Sequence, residues 1–205
     1  MSGMANPDAS ASRRRGRNSE ADAIMAMMAK TIDVSRLQLK RLKNEVEQFH
    51  HLEGSEGGNS LGSATSEGKY LASSTEVRTA LYADLHLLFI KLHEADQLLS
   101  RLKRLMPHEL ELAHLHNRHR ALLKKCDEFR RHLECVDGTY LADAGNLSDT
   151  TFSFHGKKFD LGPELEGQVE DLMQDVVLSW GKIRDRQKRI RELISRGPIP
   201  QESST

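Results

Sequence analysis

An all-α fold is what this sequence predicts: an elongated antiparallel bundle of about four long heptad-patterned helices, with a small β-hairpin insertion between helices three and four. Three observations predict it. Apolar residues recur at alternating steps of three and four, which places them on one helical stripe that must be buried against another helix. That track restarts four times along 205 residues. The restarts are separated by Gly-rich or Pro-containing breaks at 54–70, at Pro107, at 138–162 and at 197–198. The composition, 38% hydrophobic but only 5% aromatic and 29% charged, suits helices with aliphatic cores and wide solvated faces.

Residues 1–19 are small, polar and basic, and a disordered tail is expected there. The bundle proper is expected over 20–196. Its first helix starts near Ser19, an N-cap residue followed by Glu20 and Asp22, acids that suit the positive end of a helix dipole. The stripe is Met25, Met28, Ile32, Ser35, Leu39, Leu42, Val46 and Phe49. Residues 54–70 then read as a flexible linker. The second helix, capped by Ser74 or Thr75, carries Leu81, Leu85, Leu88, Leu92, Ala95, Leu99, Leu102 and Met106.

Pro107 ends that helix, because proline drives the preceding residue out of the α region. The apolar frame also slips there: the old stripe would continue at 109 and 113, but the apolar residues are Leu112 and Leu115. A tight corner is expected rather than a kink. The third stripe is Leu112, Leu115, His119, Leu122, Cys126, Phe129, Leu133 and Val136, closed by Asp137-Gly138. Within 138–162, Phe152-Ser153-Phe154 and Phe159-Asp160-Leu161 alternate about His155-Gly156-Lys157, the pattern of a hairpin. An isolated hairpin is marginal in water, so its Phe and Leu side chains should pack on the bundle. Pro163, Glu164 and Glu166 open the fourth helix, whose stripe is Leu165, Val169, Leu172, Met173, Val176, Trp180, Ile183, Ile190 and Ile194. Arg196-Gly197-Pro198 stops it, leaving 197–205 as a second disordered tail.

No apolar run approaches the roughly 18 residues needed to cross a bilayer. The N-terminus lacks the apolar core of a secretory signal, and its Arg and Ser residues show no amphipathic pattern of a transit peptide. Cys126 and Cys135 stand about 13 Å apart on one helix and cannot join there. An intracellular chain is expected, cytoplasmic, with the nucleus as the alternative.

Net charge is zero but unevenly spread. In an up-down-up-down bundle one end gathers Arg13, Arg14, Arg15 and Arg17, then Arg101, Lys103 and Arg104, then Arg118 and Arg120. The last turns of helix four add Lys182, Arg184, Arg186, Lys188, Arg189, Arg191 and Arg196. The other end collects acids, among them Glu45, Glu76, Asp127, Glu134, Glu164, Glu166 and Glu170. On helix four this order complements the macrodipole; the basic end could equally face an anion. Its one aromatic residue, Trp180, is assigned to the core by its stripe, which argues against stacking on single-stranded bases. No zinc-finger or helix-turn-helix spacing occurs.

Ten histidines invite a metal reading. The Glu-x-x-His pairs Glu47/His50 and Glu111/His114 have the di-iron spacing, but Glu47 and His50 fall one residue past the seam set by Val46 and Phe49. His119 sits on the third stripe and reads as a buried polar residue setting register, as Ser35 does on the first. His116 and His119 could instead share one metal. His86 and His93 lie one step off the second stripe and are expected in solvent. Cys126 is hidden by its seam position, and there is no phosphate-cradling glycine loop and no Gly-x-Ser-x-Gly. No catalytic set, cofactor, metal or small-molecule substrate is therefore expected.

Val169, Met173, Val176, Trp180, Ile183 and Ile194 resemble the third helix of spectrin repeats, where a Trp occupies the heptad core. Leu92-His93-Glu94-Ala95-Asp96-Gln97-Leu98-Leu99 is similar to their first helix, and His119-Arg120-Ala121-Leu122 to the start of their second. Together these span 77–195. The sequence departs from the family at Lys91, where a first-helix Trp would fall, at the short Pro107 link and in the 139–162 insertion. The resemblance implies a three-helix rod segment used as a scaffold or docking surface, with the first helix added to it.

The function expected is a non-enzymatic helical scaffold or adaptor that binds a protein partner or a second copy of itself. The first helix is the expected partner face, through Leu39, Leu42, Val46 and Phe49. The alternative is a nucleic-acid or anionic-surface binder using Arg101, Lys103, Arg104, Lys182, Arg184, Arg186, Lys188, Arg189 and Arg191.

Overall fold

The structure is a computed structural model and describes residues 7–54, 64–135, 145–148, 151–154 and 157–195. Four helices pack against one another: α1 (Pro7–Gly54), α2 (Ala64–Leu105), α3 (Leu110–Glu134) and α4 (Pro163–Ser195). Three short strands, β1 (Gly145–Ser148), β2 (Thr151–Phe154) and β3 (Lys157–Asp160), lie between α3 and α4. The main contacts run α1 to α2, α2 to α3, α3 to α4 and α4 back to α1, a closed ring. No described helix is long and apolar enough to cross a membrane.

Ion pairs give the direction of each helix in the ring. Along α1 and α4, Asp22 meets Arg184, Arg36 meets Glu170 and Lys43 meets Glu166, so numbers rise on one helix as they fall on the other. Glu20–Arg101 and Arg41–Asp84 do the same for α1 and α2. His93–Asp127 and His86–Glu134 do so for α2 and α3, as do Arg118–Asp175 and Glu111–Arg186 for α3 and α4. Inside the ring lie the apolar stripes: Ile32, Leu42, Leu85, Leu88, Leu92, Leu102, Cys126, Val176 and Ile183 are all fully buried.

The helix starts differ from the sequence reading. α1 begins at Pro7, ahead of Ser19; Pro at a first helical position followed by Asp8 is itself a start signal. α2 begins at Ala64, inside the expected linker and ahead of Ser74 and Thr75. The remainder of that linker, 55–63, lies outside the described residues, as do 1–6, Asp137-Gly138 and the tail from 196.

The corner between α2 and α3 is tight. Met106 N–H donates to Leu102 O at 2.9 Å, and Glu109 N–H donates to Met106 O at 3.1 Å across Pro107-His108. Leu112 N–H then donates to Glu109 O, which starts α3. His108 belongs to this turn.

β1, β2 and β3 form an antiparallel sheet in the order β1-β2-β3, with Phe152 opposite Phe159 and Leu147 opposite Phe152. Phe159 is buried, its ring 4.7 Å from that of Phe89 on α2 and 4.9 Å from that of Phe129 on α3. Lys125 Nζ stands 5.0 Å from its centroid. Leu161 is buried as well. The side chains of Phe152 and Phe154 lie outside the described residues. Asp160 accepts the Gly162 N–H at 2.8 Å, and a Cβ at 162 would fall 2.9 Å from that same oxygen, so glycine suits the entry to α4.

Candidate functional site

The apolar stripe of α4 does not end where its packing ends. Val176 and Ile183 are fully buried, yet Ile190, Leu193 and Ile194 are 49%, 67% and 69% exposed. The cause lies in the lengths of the neighbours. Arg186 of α4 reaches Glu109 at 2.9 Å and Glu111 at 3.4 Å, level with the start of α3, so α4 continues past the α2–α3 corner by about nine residues, roughly 13 Å. Asp22 of α1 meets Arg184 at 2.6 Å, so the turns of α1 before Ser19 pass the corner too. Two helices run on where the other two have turned back.

Between them lies an open groove of about 1010 Å³. Leu105, Met106 and Pro107 of the corner line it, with Asn18, Ser19 and Asp22 from α1 and Trp180, Ile190 and Ile194 from α4. Arg184, Lys188 and Arg191 stand along its α4 wall. Trp180 is half-buried and packs against the core from the groove side.

The nine basic residues singled out in the sequence divide into two groups. Arg101 binds Glu20 at 2.7 Å, Arg184 binds Asp22, and Arg186 binds Glu109 and Glu111, while Lys103 Nζ lies 3.3 Å from His116 Nδ1. These four tie helices together. Arg104, Lys182, Lys188, Arg189 and Arg191 are exposed, and no described carboxylate lies within ion-pair reach of them. Arg13, Arg14, Arg15 and Arg17 are on α1 ahead of the groove, their side chains outside the described residues.

Of the expected partner face on α1, Leu39, Leu42 and Val46 are buried in the chain's own ring; the Phe49 side chain lies outside the described residues. They present no free surface in this arrangement.

Three polar clusters lie elsewhere. His119 is 6% exposed and its Nε2 is 2.7 Å from Asp175 Oδ2, while Arg118 holds the same carboxylate at 3.1 Å. Among the described residues no serine, threonine or cysteine hydrogen-bonds to His119. His86 and His93, expected in solvent, are half-buried between α2 and α3, His93 Nδ1 standing 2.9 Å from Asp127. α2 has a neighbour on each side, so residues one step off its first stripe still face a helix. Burial works to raise the Asp127 carboxyl, but hydrogen bonds from Arg130 and Arg131, with His93 nearby, hold it below its ordinary value. Between α1 and α2, burial raises the Glu45 carboxyl, Asp84 beside it adds to the rise, and Arg41 at 3.1 Å offsets it only in part.

Glu111 of the Glu-x-x-His pair is taken up by Arg186, and His114 is exposed. Among the described residues no three His, Cys, Asp or Glu side chains are placed to hold a metal ion. Sequence reasoning missed Asp175, which follows no seam position, and the free length of α4, which only the position of the corner reveals. No protein family matches the chain, and neither a curated protein nor a solved structure gives a match.

Proposed function

We propose that this chain is a non-enzymatic helical scaffold or adaptor whose open end docks a protein partner. One observation carries the reading: the apolar stripe of α4 continues, exposed, through Ile190 and Ile194 past the α2–α3 corner, beside Trp180 and the apolar corner. An apolar surface that is contiguous, concave and rimmed by charge is the usual mark of an interaction site. The scaffold role that the resemblance to spectrin repeats implies is in keeping with it.

A photo-reactive side chain placed at Ile194 in cells tests this. A discrete protein adduct of higher mass is expected there and not with the same group at Leu178, which is 61% exposed on the outward side of α4. Adducts equal at both positions, or at neither, count against the open end. A second reading, a polyanion binder at the same end, is supported by Arg104, Lys182, Lys188, Arg189 and Arg191, which are exposed and have no ion-pair partner among the described residues. It predicts binding of a DNA duplex that weakens steeply with salt.

A further inference from the structure

The docking surface carries information about its occupant. Its apolar part is small and linear: Ile190 and Ile194 lie one turn apart on α4, with Trp180 and the Leu105–Pro107 corner beneath. Its charged part is mainly basic, with Asp185 as an acid on the same lining. Lys188 and Arg191 flank the stripe on the side of α4 that Arg184 turns toward α1, and Arg189 flanks it on the side that Arg186 turns toward α3. The acids of these last turns are Asp185 and Glu192, against Lys188, Arg189 and Arg191, and Asp22 and Glu109 nearby are paired with Arg184 and Arg186. The α4 side of the groove runs from Trp180 to Ile194, about 21 Å or roughly four helical turns.

Resting on the docking reading above, we propose that the open end seats an acidic amphipathic helix of a partner protein. Its apolar face lies on Trp180, Ile190 and Ile194, and its carboxylates lie against Lys188, Arg189 and Arg191.

The alternatives fit less well. A second copy brings the same basic end with it, setting Lys188, Arg189 and Arg191 against their own like. Like charges brought together without counter-charge oppose association. A nucleic acid would use the cations but leave Ile190, Leu193 and Ile194 in water, and Trp180 is sunk beside the corner where bases cannot stack on it freely. A flat lipid surface cannot enter a groove walled by two helices. An acidic helix uses both features at once, in the helix-in-groove mode with apolar anchors at i, i+3, i+4 and i+7.

The chain contains a single tryptophan, and it lines this groove. Its fluorescence is therefore a reporter of occupancy in the intact protein. The probe is a synthetic 18-residue peptide lacking Trp and Tyr, with Leu at helical i, i+3, i+4 and i+7 positions and Glu on both flanks. Titration should give a saturable change in Trp180 emission. Lys188→Glu with Arg191→Glu should weaken it at least tenfold. The same double variant should recover binding to a peptide whose Glu residues are replaced by Lys. Both positions are exposed, and circular dichroism checks that the helices persist.

Equal binding of the acidic and basic peptides by the unaltered protein would overturn the acidic occupant while leaving the docking reading intact. A response to polyglutamate or to a DNA duplex as strong as that to the acidic peptide would overturn both in favour of a charge-only site. No saturable response to any helical peptide at millimolar concentration would also overturn both.

Discussion

Cys126 and Cys135 stand in opposite environments on one helix. Cys126 is fully buried, and burial pushes its thiol up to about 12, whereas Cys135 is exposed at the end of α3. Because the thiolate is the reacting form, a native sample treated with a disulfide reagent at pH 8 should release one fast equivalent, and Cys135→Ser should abolish it. Cys126 should react only on unfolding; a second fast thiol would show that the α3 seam opens. Glu45 makes a pH prediction. Its carboxyl is raised in the folded chain, first by burial and then by Asp84, so the fold holds that proton more tightly than the unfolded chain does. The resulting stabilisation is present at low pH and lost as pH rises through the raised value. Glu45→Gln keeps an acceptor for Arg41 without the buried charge, and should raise the Tm at pH 7 by about 2–4 °C, with little gain near pH 4. Asp127, held low, acts in the opposite sense: its contribution is present at neutral pH and disappears as pH falls through the carboxylate range. An unchanged or lower Tm for Glu45→Gln at pH 7 would mean that Arg41 fully compensates the pair.

At the scale of elements, Phe159 decides whether the strands belong to the fold or merely interrupt it. Its ring meets Phe89 and Phe129 edge-on, closing the core between α2 and α3. Phe159→Ala should cost about 3–5 kcal/mol in urea unfolding, while Lys158→Ala, one residue away and exposed, should stay within about 0.5 kcal/mol. Similar small losses at both positions would show that the bundle is complete without the strands. The helical stripes themselves were legible: Leu81, Leu85, Leu88, Leu92, Leu99 and Leu102 are all buried, since a step of three or four can face only one way on a helix. What a single stripe could not register is a helix with two neighbours. Tyr82, Asp84 and Phe89 are buried off the first stripe of α2, and His86 and His93 are drawn in with them. The His119–Asp175 pair needed the adjacency of α3 and α4, which local periodicity does not encode. Ile190 and Ile194 show the converse: a stripe records what a helix could bury, and only the length of its neighbours decides what it does bury.

For the whole molecule, the closed ring sets an expectation about assembly. Every helix has two neighbours within the chain, and α1 contributes Ile24, Met28, Ile32, Leu39 and Leu42 to the common core. The open end carries the exposed cations Lys188, Arg189 and Arg191 on α4. The full chain should therefore be a monomer by light scattering, its mass unchanged with concentration at low salt, where repulsion between basic ends is least screened. A chain starting at Ala64 loses one wall of the ring and bares the faces of α2 and α4 that α1 covered, losing Arg36–Glu170 and Arg41–Asp84 with them. It should aggregate, because exposing that much contiguous apolar surface leaves association as the only way to bury it. A dimeric full chain paired with a well-behaved monomer lacking α1 would reverse the assignment. In that case Leu39, Leu42 and Val46 would form their contacts between two copies, α1 would be the element of assembly, and the open end would sit beside a symmetry axis.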